Sequence, residues 1–147
     1  MELREIRHSD LKGLLELYRQ LHGNPMPEES DSLVALWNEI LGDKNHHIIV
    51  ADDNGKIVSS CVLLIVPNLT HQQRPYGLIE NVITDADYRK QGLATACLDF
   101  ARDIAKKSCF LQAMQTRRAS PRKNDTPQMR CAVFLTPLWG KRQLFVQ

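Results

Sequence analysis

The chain has 147 residues, 43% hydrophobic and 24% charged, with a formal net charge of +2; this suits one soluble domain able to bury a core and leaves little room for a second. No apolar run approaches the roughly 18 to 20 residues of a membrane span, and the opening MELREIRHSD lacks the basic start and apolar stretch of a secretory leader. No membrane partner is therefore expected, and the cytoplasm is the expected location. Charge is uneven: residues 1–108 carry 12 Lys or Arg against 16 Asp or Glu, a net of −4, whereas residues 109–147 carry 7 against Asp125 alone, a net of +6.

The segment LREIRHSD is a short strand of ambiguous alternation, and Ser9 or Asp10 is placed to cap a helix whose Leu11, Leu14, Leu15, Tyr18 and Leu21 recur at helical spacing. After the Pro-containing HGNPMPEES, Ser30 or Asp31 caps a second helix with Leu33, Leu36, Trp37, Ile40 and Leu41 on one core-facing stripe, stopped by Gly42. HHIIVAD and KIVSSCVLLIV are β-branched strands around DDNG, whose Asn54-Gly55 suits a tight hairpin because both turn residues need positive φ. GLIENVIT is a fourth strand, and the helix after it carries Leu93, Cys97, Phe100, Ala101 and Ile104 inward. The order is β-α-α-β-β-β-α. Cys61, Cys97, Cys109 and Cys131 form no C-x-x-C pair and read as idle or buried thiols; His46 and His47 diverge as neighbours on a strand, and no metal is expected.

Between the fourth strand and its helix lies DADYRKQGLATA. A turn that delivers Gln91, Gly92, Leu93, Ala94 and Thr95 into the first helical turn leaves backbone N–H groups unpaired at the positive end of the helix dipole, with Arg89 and Lys90 adding charge. Gly92 lets a phosphate approach the backbone and the small Ala94 avoids a clash, so the expected ligand is a phosphate ester of about pyrophosphate size; R-x-x-G-x-A alone equally fits an ordinary N-capped helix with a basic turn. Neither a Walker loop nor a dinucleotide fingerprint is present.

ENVITDADYRKQGLATACLDFA, with its R-x-x-G-x-A opening a long helix, resembles the GNAT superfamily of N-acetyltransferases, and the upstream order of elements extends the resemblance over residues 3–108. The resemblance implies an α/β (α+β) fold with a mixed, mostly antiparallel sheet flanked by helices. It implies acetyl-CoA as co-substrate and a primary amine of a small molecule or peptide as acceptor. By this likeness the N–H groups from Gln91 to Thr95 hold the pyrophosphate, and Val82, Ile83 and Thr84 pair with the pantetheine arm as an added strand. Glu80 is the candidate base that takes the ammonium proton, directly or through water. His71 and Tyr76 lie in the preceding loop and read first as surface loop residues, with substrate contact as the alternative.

Residues 109–147 depart from the family. No Tyr follows Tyr88, so the family's Tyr acid has no counterpart, and QTRRASPRKNDTPQ shows little periodicity. CAVFLTPLWGKRQLFVQ resumes apolar character without a recognisable fifth strand. Codons of Leu138-Trp139-Gly140, read in a frame shifted by two bases, give (Leu, Val or Met)-Gly, like the end of the family's own motif. With the charge change near Cys109, this points to a one-base insertion or deletion around codons 105–112. The basic tail lacks the aromatic interleaving of a nucleic-acid surface, so no nucleic acid is expected. Poor order over residues 115–130 and a homodimer formed through the tail are expected instead. The alternative to an active enzyme is a catalytically weak acetyl-CoA binder with an altered C-terminus.

Overall fold

The computed structural model describes residues 1–23, 25–70, 73, 75–117 and 133–135. One sheet of order β1-β2-β3-β4-β5 is built from β1 (Glu2–Glu5), β2 (His46–Asp53), β3 (Lys56–Val66), β4 (Tyr76–Thr84) and β5 (Val133–Leu135). The first four strands pair antiparallel and β5 lies parallel to β4. Helices α1 (Leu11–His22) and α2 (Asp31–Gly42) precede β2, and α3 (Leu93–Arg117) follows β4. The β-α-α-β-β-β-α order therefore holds. The sequence reading of no fifth strand is corrected by β5, whose three residues are too few for alternation to show. The expectation of poor order over residues 115–130 falls outside the described residues beyond Arg117.

The sheet separates two apolar layers. On one side Ile49, Val58, Leu63 and Ile79 meet Leu93, Cys97, Ala101 and Ala105, a four-residue repeat that keeps one stripe of α3 on the sheet, with Phe100 and Ile104 half-buried at its flank. On the other side Ile48, Val50, Val62 and Ile83 meet Leu14 and Leu17 of α1 and Trp37 of α2. Gly13 lets α1 approach closely, since a Cβ there would lie 3.3 Å from Ile57. Leu36 does not join the core stripe expected of it and is 53% exposed. It sits one residue step around the helix from Trp37, whose Nε1 donates to the His8 carbonyl at 3.1 Å. Ser30 caps α2, its Oγ accepting from Leu33 N at 3.2 Å.

Asp10 serves a different purpose from the cap expected of it. Its carboxylate accepts from Arg7 N at 2.6 Å and from both terminal nitrogens of Arg4 at 2.6 and 3.1 Å, while Arg4 also donates to Asp52 at 2.7 Å. Strand β1 thus buries Arg4, 8% exposed, and turns Leu3 outward. Burial alone would raise the Asp10 carboxyl, but Arg4 and the Arg7 N–H together hold it below its usual range; Asp52 is lowered chiefly by Arg4. Because both folded values are depressed, their stabilisation is complete above the unfolded carboxylate value near ~4 and is lost as pH falls through the folded values. Arg4→Met leaves two carboxylates together and is expected to cost about 2 kcal/mol at pH 7, below the range for a fully buried pair. Denaturant melts from pH 7 to 2 should show the variant losing less further stability in acid than the parent does.

Candidate active site

Strand β5 pairs only with Gly77, Leu78 and Ile79. From Asn81 onward, no described strand pairs with β4 on the side away from β3, so among the described residues that edge carries no partner strand. The register shifts between Ser60 and Val62, and Asn81 adopts φ 50°, forming a bulge on β4. Asn tolerates this left-handed conformation better than a branched residue would. Beyond the bulge, Val82 packs with the α3 layer and Ile83 with the α1 layer. The backbone of Val82, Ile83 and Thr84 borders the open edge.

The chain then turns. Asp85 N donates to the Val58 carbonyl at 2.8 Å, and the Asp85 carboxylate accepts from Asp87 N at 3.0 Å. Lys90 and Gly92 are left-handed at φ 63° and 79°. The Gly92 carbonyl accepts from Ala96 N at 3.0 Å and so begins α3. Helical geometry leaves the N–H groups of Leu93, Ala94 and Thr95 without an acceptor inside the helix. A Cβ at Gly92 would meet nothing within 4 Å, so the space above the turn is open cleft. The Arg89 Nε donates to the Thr84 carbonyl at 3.3 Å, and neither Arg89 nor Lys90 pairs with a carboxylate among the described residues.

A cleft of about 480 Å³ unites these parts. It is lined by Val82, Ile83, Thr84, Arg89, Lys90, Gly92, Leu93, Ala94 and Thr95, together with Tyr88 and with Gln20 and Leu21 of α1. Nine of the ten residues expected to bind the co-substrate therefore converge; Gln91 is exposed and does not line the cleft. The contribution of α1 was not legible, because a tertiary approach of Gln20 leaves no local pattern.

A second cavity of about 360 Å³ shares Leu21 with the cleft and lies between Leu15, Tyr18 and Arg19 of α1, Pro25, Pro27 and the bulged Asn81. Burial pushes the Tyr18 phenol up to about 12. Glu80, half-buried, pairs with Val62 and so stands on the α1 side of the sheet next to Asn81, yet it lines neither cavity. His46 is held below its usual range by burial, opposed by Asp43 and, more weakly, by Glu80. Tyr76 is half-buried at the start of β4; His71 lies outside the described residues. Burial pushes the Cys61 thiol up to about 12 and also raises Cys97, so neither supplies a thiolate near neutrality. The Cys109 side chain and Cys131 lie outside the described residues.

Comparisons with known proteins agree with this fold. The family model described as "Acetyltransferase (GNAT) family" matches residues 11–122, past the boundary drawn at 108. A glucosamine 6-phosphate N-acetyltransferase of Trypanosoma brucei brucei is 31% identical over 112 residues, covering 75% of this chain and 76% of that protein. Among solved structures, a protein of Agrobacterium tumefaciens provisionally described as an acetyltransferase superposes with a TM-score of 0.68 at 31% identity, covering 88% of this chain and 99% of its own. The glucosamine-6-phosphate N-acetyltransferase of Arabidopsis thaliana shares the fold, with a TM-score of 0.65 at 21% identity over 88% of this chain and 97% of its own. No helix among the described residues is long and apolar enough to cross a membrane. By family match, identity and fold together, the chain is a member of the GNAT acetyltransferase family.

Proposed function

We propose that the chain transfers an acetyl group from acetyl-CoA to a primary amine of a small molecule or peptide. The observation that carries this reading is the single cleft joining the open edge of β4 to the first turn of α3. The unpaired N–H groups at Leu93 to Thr95, with Arg89 and Lys90, suit a pyrophosphate. The edge at Val82 to Thr84 suits an extended amide-bearing arm, added as a strand would be. Transfer requires a neutral amine: the ammonium proton passes to the Glu80 carboxylate, the amine nitrogen attacks the thioester carbonyl, and as the C–S bond breaks the nitrogen's remaining extra proton goes to the departing thiolate, leaving the amide and the CoA thiol. Because Glu80 borders neither cavity, relay through one water is the route its position favours. A backbone N–H at the bulge would supply the donor that the developing oxyanion needs.

The acceptor enters, in this reading, through the cavity beside Asn81. Arg19 is the one cation among its described lining residues, which suits an amine that carries an anionic group. Glucosamine 6-phosphate, the compound in the relative's name, is thus the first acceptor to try, beside neutral amino sugars and peptide amines. Thiol release from acetyl-CoA with this panel is the test. Release faster with the phosphorylated amine than with glucosamine supports the reading; a melting temperature raised by acetyl-CoA without release of CoA from any amine supports the binder instead. A homodimer and a cytoplasmic location belong to the same proposal, with neither nucleic acid nor membrane as partner. Light scattering that finds only monomer would remove the dimer. The shifted reading frame behind residues 109–147 is checked by sequencing the gene, where an intact frame around codons 105–112 would dismiss it.

A further inference from the structure

The turn that would hold the pyrophosphate contains two left-handed residues, and one of them, Lys90, has a side chain that disfavours that conformation. Such a shape persists only when its surroundings impose it. Within the stretch from Asp85 to Gln91, backbone ties to the rest of the fold run from Asp85 N to the Val58 carbonyl at 2.8 Å and from Ala86 N to the Gln20 Oε1 at 3.1 Å. Both lie at its beginning. Side chains from the tip of the β2–β3 hairpin grip the stretch at its middle, through Tyr88, and again at Asp85. Tyr88 donates its hydroxyl to Asp53 at 3.2 Å. Lys56 reaches Asp85 at 3.1 Å, and its ammonium stands 4.9 Å from the centroid of the Tyr88 ring. Asp53 and Lys56 are opposite each other across Asn54-Gly55, a turn with φ 53° and 92° that fixes their spacing.

We propose that this hairpin tip is a latch that sets the phosphate-binding turn, with Asp53 and Lys56 as positioning residues for the diphosphate end of the donor. The proposal rests on the acetyl-CoA reading above. Neither residue lines the cleft, so each acts through the turn rather than on the ligand. The latch makes a specific demand: its loss should affect a donor that carries a pyrophosphate and spare one that does not.

The experiment compares acetyl-CoA with S-acetylpantetheine, which lacks the pyrophosphate, in the parent, Lys56→Met, Lys56→Arg and Asp53→Asn. Both Lys56→Met and Asp53→Asn are expected to raise the acetyl-CoA KM roughly fivefold, the scale of a part-exposed ion pair. Their kcat and their use of S-acetylpantetheine should match the parent, and Lys56→Arg should restore the KM. Asp53→Asn separates positioning from simple attraction, because it removes a negative charge near the turn. A lower acetyl-CoA KM in Asp53→Asn would overturn the latch in favour of bulk electrostatics. Equal losses with both donors would overturn it in favour of general destabilisation. A parent enzyme that uses the two donors equally well would remove the pyrophosphate site itself, and the latch with it.

Discussion

Gly92→Asp is expected to weaken acetyl-CoA binding about 100-fold, or ~2.7 kcal/mol. Three physical effects act together. A non-glycine residue at φ 79° is strained. The new Cβ meets no protein atom within 4 Å, so the side chain enters the space assigned to the phosphates. Its carboxylate then places a negative charge at the positive end of α3, where it occupies the N–H groups and repels the ligand. Gly92→Ala carries the strain without the charge and should fall between the variant and the parent. Calorimetric titration checks both, and an unchanged Kd for Gly92→Asp would place the donor elsewhere.

Glu80→Gln is expected to lower kcat roughly 100-fold, the lower end of what a general base contributes, with little change in acetyl-CoA affinity. Gln keeps the shape and one acceptor oxygen but cannot take the ammonium proton. Raising the pH supplies more neutral amine in solution, so the deficit should shrink as the acceptor's own pKa is approached. A variant with full activity from pH 6 to 9 would reassign Glu80 to structure.

Much of the fold was legible because its signals are local. Asn54-Gly55 announced the hairpin, Ser30 the cap of α2, and the recurrence of Leu93, Cys97 and Ala101 the face of α3. The phosphate-binding turn was legible for the same reason: Gly92, Ala94 and two adjacent cations occupy one contiguous stretch. What escaped depends on partners distant in sequence. Arg4 is buried on an edge strand because Asp10 and Asp52 meet it there, and alternation alone cannot show that. Asp10 offered the chemistry of a cap and was taken by Arg4 and Arg7. The bulge at Asn81 had one faint signal, a polar residue of left-handed tolerance inside an apolar strand. Glu80 was identified by its place before the strand end, but the bulge beside it decides what that carboxylate faces. The hairpin tip gripping Asp85 and Tyr88 joins positions about thirty residues apart, beyond any motif.

The central claim is that one donor lies along the edge of β4 with its diphosphate on the first turn of α3. Hydrogen exchange followed amide by amide, with and without acetyl-CoA, tests this most directly, because backbone N–H groups are assigned to the donor at both stretches. Slowed exchange is expected at residues 82–84 and 93–95 together, with the turn lost from that pattern in Gly92→Asp. Acetyl-CoA that binds while exchange at both stretches stays unchanged would contradict it.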